Sequence, residues 1–141
     1  MRLAVLLACV FVTLPGCGGG GSTAVPAGGT VTVKGQPAGG ALVVFHPKAP
    51  GGDTGPKPVA TTSPDGTFTL TTSASGDGAP PGDYGVTVVW PGKGKDAKLA
   101  LGSEGSAAPD QLGGRYGDPR APKLTATVTA GGPNRFTFEL P

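Results

Sequence analysis

Little in this chain is suited to chemistry. It holds a single histidine, His46, and a single tryptophan, Trp90. A Ser-His-Asp arrangement needs a serine beside that histidine. His46 instead precedes Pro47 at the end of an apolar run, and no serine sits in a strained strand-to-helix turn. Zinc needs three or four His, Cys or carboxylate ligands, a set that one histidine does not start. Both cysteines, Cys9 and Cys17, lie near the amino terminus, so the rest of the chain carries neither a disulfide nor a thiol nucleophile. Charge is sparse, at 14% of residues, and the net value of +2 is too small to argue for a nucleic-acid partner. No catalytic residue, no metal ligand, no cofactor and no small-molecule substrate is therefore expected. No apolar run reaches the roughly 20 residues that cross a bilayer as a helix.

What the chain has in quantity is glycine and proline, 27 and 16 of 141 residues. Without periodicity that content would signal disorder. Here it falls between short alternating apolar runs, and it reads as turns and loops. The amino terminus is different. Arg2 is followed by an apolar stretch from Leu3 to Leu14 and then by small residues, the form of a secretory signal peptide over residues 1–16. Leu14-Pro15-Gly16-Cys17 resembles a bacterial lipobox, whose cysteine takes a diacylglyceryl group and, after cleavage, becomes the new amino terminus. Residues 17–28 follow as an acylated cysteine and a flexible Gly-rich tether. More than one acyl chain (palmitate among them) holds a protein stably to a membrane. The expected address is the cell envelope, on the extracytoplasmic side, with the membrane as a partner through lipid on Cys17.

From residue 29 to 141 the pattern is that of one all-β domain. Thr30–Lys34 alternates, with Val31 and Val33 inward. Ala41–His46 is apolar on both faces and reads as a central strand with Val43 and Phe45 in the core. Pro64-Asp65-Gly66 is a tight turn, expected to join Pro58–Thr62 to Thr67–Thr72 as a hairpin. Tyr84, Val86, Val88 and Trp90 share one face of the longest strand. Leu124, Ala126 and Val128 fall in phase, as do Phe136, Phe138 and Leu140. That makes seven antiparallel strands and no helix, a pattern that argues for a sandwich. Residues 91–122 form a connection long enough to be either functional or mobile.

Three pieces of this pattern carry a resemblance: Gly29–Pro37 running into Gly40–Phe45, Thr62–Leu70, and Pro81–Val88. In that order and spacing they resemble the carboxypeptidase regulatory-like domain, a transthyretin-like (prealbumin-like) Greek-key sandwich found in bacterial envelope proteins, including small lipoproteins. The resemblance spans about residues 28–141. It implies a seven-stranded fold and a non-catalytic folding or binding role, and it leaves the ligand open. An enzyme that shares the transthyretin fold, 5-hydroxyisourate hydrolase, relies on several histidines, where this chain has one.

A lipid-anchored envelope protein with a structural or binding role is the expectation, its partner an envelope protein or polysaccharide. The alternative is a carbohydrate- or calcium-binding module. Trp90, Arg115 and Tyr116 are the candidate contacts, because aromatics and arginine dominate binding hot spots. Each also has a plainer reading: Trp90 as an aromatic at the core's edge, and Arg115-Tyr116 as a clasp of the long loop on the sheet. Calcium would need loop oxygens, and Asp53, Asp65, Asp77, Asp83, Asp96, Asp110 and Asp118 all lie in loops or turns, where each also serves as a turn former. Lys93, Lys95 and Lys98 form a small basic cluster, either solvated or in contact with anionic polymers or headgroups. Lys34 with Asn134 and Glu139 loosely resembles the Lys–Asn bond of pilin and adhesin domains, although a strand end and a turn are poor places for it.

Overall fold

The computed structural model describes residues 23–49, 55–92 and 109–141. Cys17, the tether through residue 22, Asp53, Asp96 and the lysines 93, 95 and 98 lie outside the described residues. Those described form eight strands: β1 (Ala27–Val33), β2 (Gln36–Pro37), β3 (Leu42–Pro47), β4 (Val59–Thr61), β5 (Thr67–Thr69), β6 (Gly82–Val89), β7 (Leu124–Val128) and β8 (Asn134–Leu140). There is no helix among the described residues.

Two four-stranded sheets result. One runs β4-β3-β6-β7, antiparallel throughout. The other is built on β1, which takes β5 and β2 along one edge and β8 along the other. Two expectations need correction here. The strand count is eight, because the Lys34-Gly35 turn folds Gln36 and Pro37 back on β1 as a short strand. And the sheets are not wholly antiparallel: β8 runs parallel to β1 over its full length, from Ala27↔Asn134 to Val33↔Leu140. Parallel neighbours need a long crossover, and here nearly the whole domain separates the two strands.

The expected hairpin of Pro58–Thr62 with Thr67–Thr72 forms only in part. The two runs meet at both ends, where Ser63 N donates to Thr67 O at 2.7 Å beside the turn and Val59 and Thr71 exchange two hydrogen bonds of 2.9 Å, but between these points β4 pairs with β3 and β5 with β1. The turn at Pro64–Gly66 is a corner between sheets. The apolar side chains on its two sides, Ala60, Phe68 and Leu70, meet inside the core rather than pairing across a ladder. Gly66, at φ 81°, supplies the left-handed backbone that the corner needs.

The core lies between the sheets. Val43, Phe45, Val86 and Val88 face it from one sheet, and Val31, Phe68, Phe138 and Leu140 from the other. Phe45 is the hinge of the packing: its ring centroid is 5.5 Å from Tyr84 on its own sheet and 5.5 Å from Phe136 and 6.4 Å from Phe138 across the interior. Burying such a side chain contributes about 1.5–3 kcal/mol. The inward faces read from the alternation match these residues, apart from Val33, Trp90, Leu124 and Phe136, which are only half-buried. β1 begins at Ala27 and Val25 bridges Ala79, so ordered structure starts inside the stretch read as tether.

Candidate functional site

β7 pairs only with the first part of β6, as far as Val86. Beyond that point the freed edge of β6 is taken up by the returning long connection. Val88 N donates to Tyr116 O at 2.9 Å, Gln111 N to Trp90 O at 2.8 Å, and Gly92 N to Pro109 O at 3.1 Å. Its described end is thus a cap on a sheet edge, which is where backbone groups otherwise stand unpaired.

Asp110 holds this cap together. Its Oδ1 accepts from the backbone N–H of Trp90 at 2.9 Å and of Leu112 at 3.0 Å, and its Oδ2 accepts from Gly114 N–H at 2.9 Å. Gly113 and Gly114, at φ 62° and 74°, let the chain double back over it. Leu112 then enters the core, and Tyr116 lies half-buried against it with Lys123 Nζ 5.9 Å from its ring centroid. Tyr116 therefore clasps the loop on the sheet, and Arg115 beside it stays exposed.

Trp90 is half-buried, and its indole Nε1 donates to Gly39 O at 3.0 Å, which fixes the ring against the β2–β3 turn. It borders a concavity of about 850 Å³ whose other walls are Gln36, Pro37, Gly39, Gly40, Thr62, Pro64 and Gln111. The Thr62 hydroxyl is already engaged, accepting from Ala41 N at 2.8 Å and donating to Ala38 O, so the groove offers the two glutamine amides as its free polar ends. Gln111 Nε2 makes only a long 3.3 Å contact with Pro91 O. Among the described residues no acid, base or charged group lines this groove. It suits an uncharged ligand with a flat apolar face and hydroxyl or amide groups around it.

A second, smaller concavity of about 280 Å³ is lined by Lys34, Arg115, Tyr116 and, again, Gln111. The three candidate residues are thus divided: Trp90 on one side of the Gln111 loop, Arg115 and Tyr116 on the other. Sequence reasoning missed Gln36, Gln111 and the anchoring role of Asp110. An Asp three residues before Gly113-Gly114 is a readable turn signal, but nothing marks the glutamines, which gain meaning only beside Trp90.

The remaining described aspartates serve their own surroundings. Asp65 Oδ1 accepts from Thr67 N–H and its hydroxyl, Asp83 Oδ1 accepts from the Thr127 hydroxyl, and Asp118 Oδ1 accepts from Arg120 N–H. Asp77 accepts from Thr72, Ser73 and Ala74 N–H at 2.7–2.9 Å. Among the described residues no three His, Cys, Asp or Glu side chains gather as a metal-binding group. His46 Nε2 lies 3.0 Å from the Thr87 hydroxyl on the outer side of β6. Lys34 and Asn134 stand at opposite ends of β1, and the Asn134 amide is occupied by Thr129 and Pro26, so the lysine–asparagine arrangement does not form. No family model, curated protein or solved structure matches the chain.

Proposed function

We propose that this chain is a lipid-anchored, extracytoplasmic binding protein of the cell envelope, without catalytic activity, whose sandwich presents the Trp90 groove to an envelope protein or polysaccharide. The observation that carries this reading is the groove itself: a pinned indole, two amides and a wall of glycine and proline, with no charged side chain among its described lining residues. The signal-like residues 1–16, Cys17 in its Leu-Pro-Gly-Cys setting and the glycines after it support the anchor. The parallel pairing of first and last strands around an otherwise antiparallel two-sheet core is compatible with the transthyretin-like Greek key of the carboxypeptidase regulatory-like domain.

A second reading, a carbohydrate-binding module, is favoured by the same indole and by the amides of Gln36 and Gln111. Sugar rings place their C–H faces on aromatic surfaces and their hydroxyls on amides. Its calcium-binding counterpart is less well supported, because the described aspartates are committed to backbone and threonine groups.

Two measurements test the proposal. Cells expressing the full chain should incorporate labelled palmitate at Cys17 and keep the protein in the membrane fraction, and Cys17→Ser should abolish both. An unmodified Cys17 in the membrane-extracted protein would remove the anchor. Because Trp90 is the only tryptophan, its emission reports the groove directly. Neutral oligosaccharides should shift that emission, and Gln111→Ala should weaken the response. An emission indifferent to all of them would leave protein partners, to be sought by crosslinking from Gln111 in intact cells.

A further inference from the structure

β8 is the edge of its sheet. One side pairs with β1 along all seven residues, and among the described residues no strand pairs with the other. Several other edges are shielded: β4 is bridged by Thr71, the end of β6 is capped by the Asp110 loop, and β2 contains a proline, while β7, the edge of the other sheet, is shorter at five residues against seven. A long uncovered edge is a template for another strand. What distinguishes this one is its sequence, Pro133-Asn134-Arg135-Phe136-Thr137-Phe138-Glu139-Leu140-Pro141.

We propose that β8 pairs with β8 of a second copy of this chain, antiparallel and centred on Thr137, joining the two β1-containing sheets into one. In that register Thr137 faces its own counterpart, the charged and aromatic residues meet their complements, and Asn134 falls opposite Leu140 at the ends. Arg135 lies opposite Glu139 of the other copy and Glu139 opposite Arg135, both on the exposed face. Phe136 lies opposite Phe138 on the inner face. Phe136 is left half-buried by its own domain, and the neighbouring Phe138 supplies the missing cover. Pro133 falls opposite Pro141, so the two residues that cannot donate to a ladder stand just outside it. Shifting the register by two residues carries a proline into the ladder and sets Arg135 or Glu139 against an uncharged partner. Opposite charges and aromatic pairs directly across strands are favourable, and like charges are not. The occupant is therefore a second copy rather than an unrelated strand. Because β1 already fills the inner edge of β8, the assembly closes as a two-fold dimer and does not extend into a fibre.

The test uses charge reversal at exposed positions of the full chain in detergent, with Trp90 emission confirming that each variant is folded. Sedimentation should show a dimer. Arg135→Glu alone, or Glu139→Arg alone, places two like-charge pairs in the dimer and should weaken it roughly tenfold or more. The double variant Arg135→Glu/Glu139→Arg restores both pairs and should recover the dimer. Thr137→Cys should crosslink to itself on oxidation, since facing Cα atoms in such a ladder lie about 4.5–5.5 Å apart, within disulfide reach. Thr69→Cys, exposed on β5, should not. A monomer at all concentrations would overturn the proposal. So would a dimer indifferent to the single reversals, or one lost equally in the single and double variants.

Discussion

Asp77 shows how much a single exposed carboxylate does in a glycine-rich turn. Its carboxyl is held below the ordinary value of 3.8, first by the N–H of Thr72 and then by those of Ala74 and Ser73. Asp65 is lowered likewise by the hydroxyl and N–H of Thr67. A folded-state value below the unfolded one means that the stabilisation is complete above pH 3.8 and is lost as pH falls through the folded value. Thermal melts from about pH 2 to 7 should show a steady melting temperature near neutrality and a drop below about pH 4. Asp77→Asn should melt lower at neutral pH and show a shallower acid drop. Lys34 is the opposite case. It is the only non-glycine among the described residues with a positive φ, 49°, in the turn before β2. That conformation costs a residue with a Cβ roughly 1–2 kcal/mol, and asparagine tolerates it better. Lys34→Asn should therefore raise stability by about 1 kcal/mol in urea unfolding.

At the scale of elements, β1 is the strand on which its sheet depends, and its glycines are structural. Gly28 and Gly29 sit between β5 and β8, and a Cβ at Gly29 would run into the carbonyl of Phe136. Nothing flexible stands in the way, so the backbones themselves would have to part. Gly29→Ala should cost on the order of 4 kcal/mol, enough to unfold a domain of this size at moderate temperature. Gly131→Ala, with open space around the same position in its turn, should stay within about 0.5 kcal/mol. Comparing the two by circular dichroism melts separates close packing from the general effect of losing a glycine.

The whole molecule is held by contacts between distant parts of the chain. Its two sheets share few aromatics, and most of these converge on Phe45. Phe45→Ala should therefore destabilise the domain by about 3–5 kcal/mol, at the high end for a truncation, because both sheets border the cavity it leaves. Chemical denaturation should show one cooperative transition moved to lower denaturant. Separate transitions for the two sheets would mean that the core is not shared.

Strand identity and inward faces were legible in the sequence, because a side chain's face in a strand follows from two-residue alternation alone. Val43, Phe45, Tyr84, Val86, Val88, Phe138 and Leu140 were read that way and lie in the core. Pairing was not legible. Alternation says nothing of which edge meets which, so runs that meet only at Ser63–Thr67 and Val59–Thr71 read as a full hairpin, and β1 beside β8 went unforeseen. The groove was half legible: a lone Trp90 invites attention, but Gln36 and Gln111 are ordinary turn residues until the fold sets them beside it. Local chemistry thus determined the turns, the strands and the amino-terminal pattern. Tertiary structure decided the partners of each strand and the surroundings of each polar side chain, because those depend on which distant segments the shared apolar interior draws together.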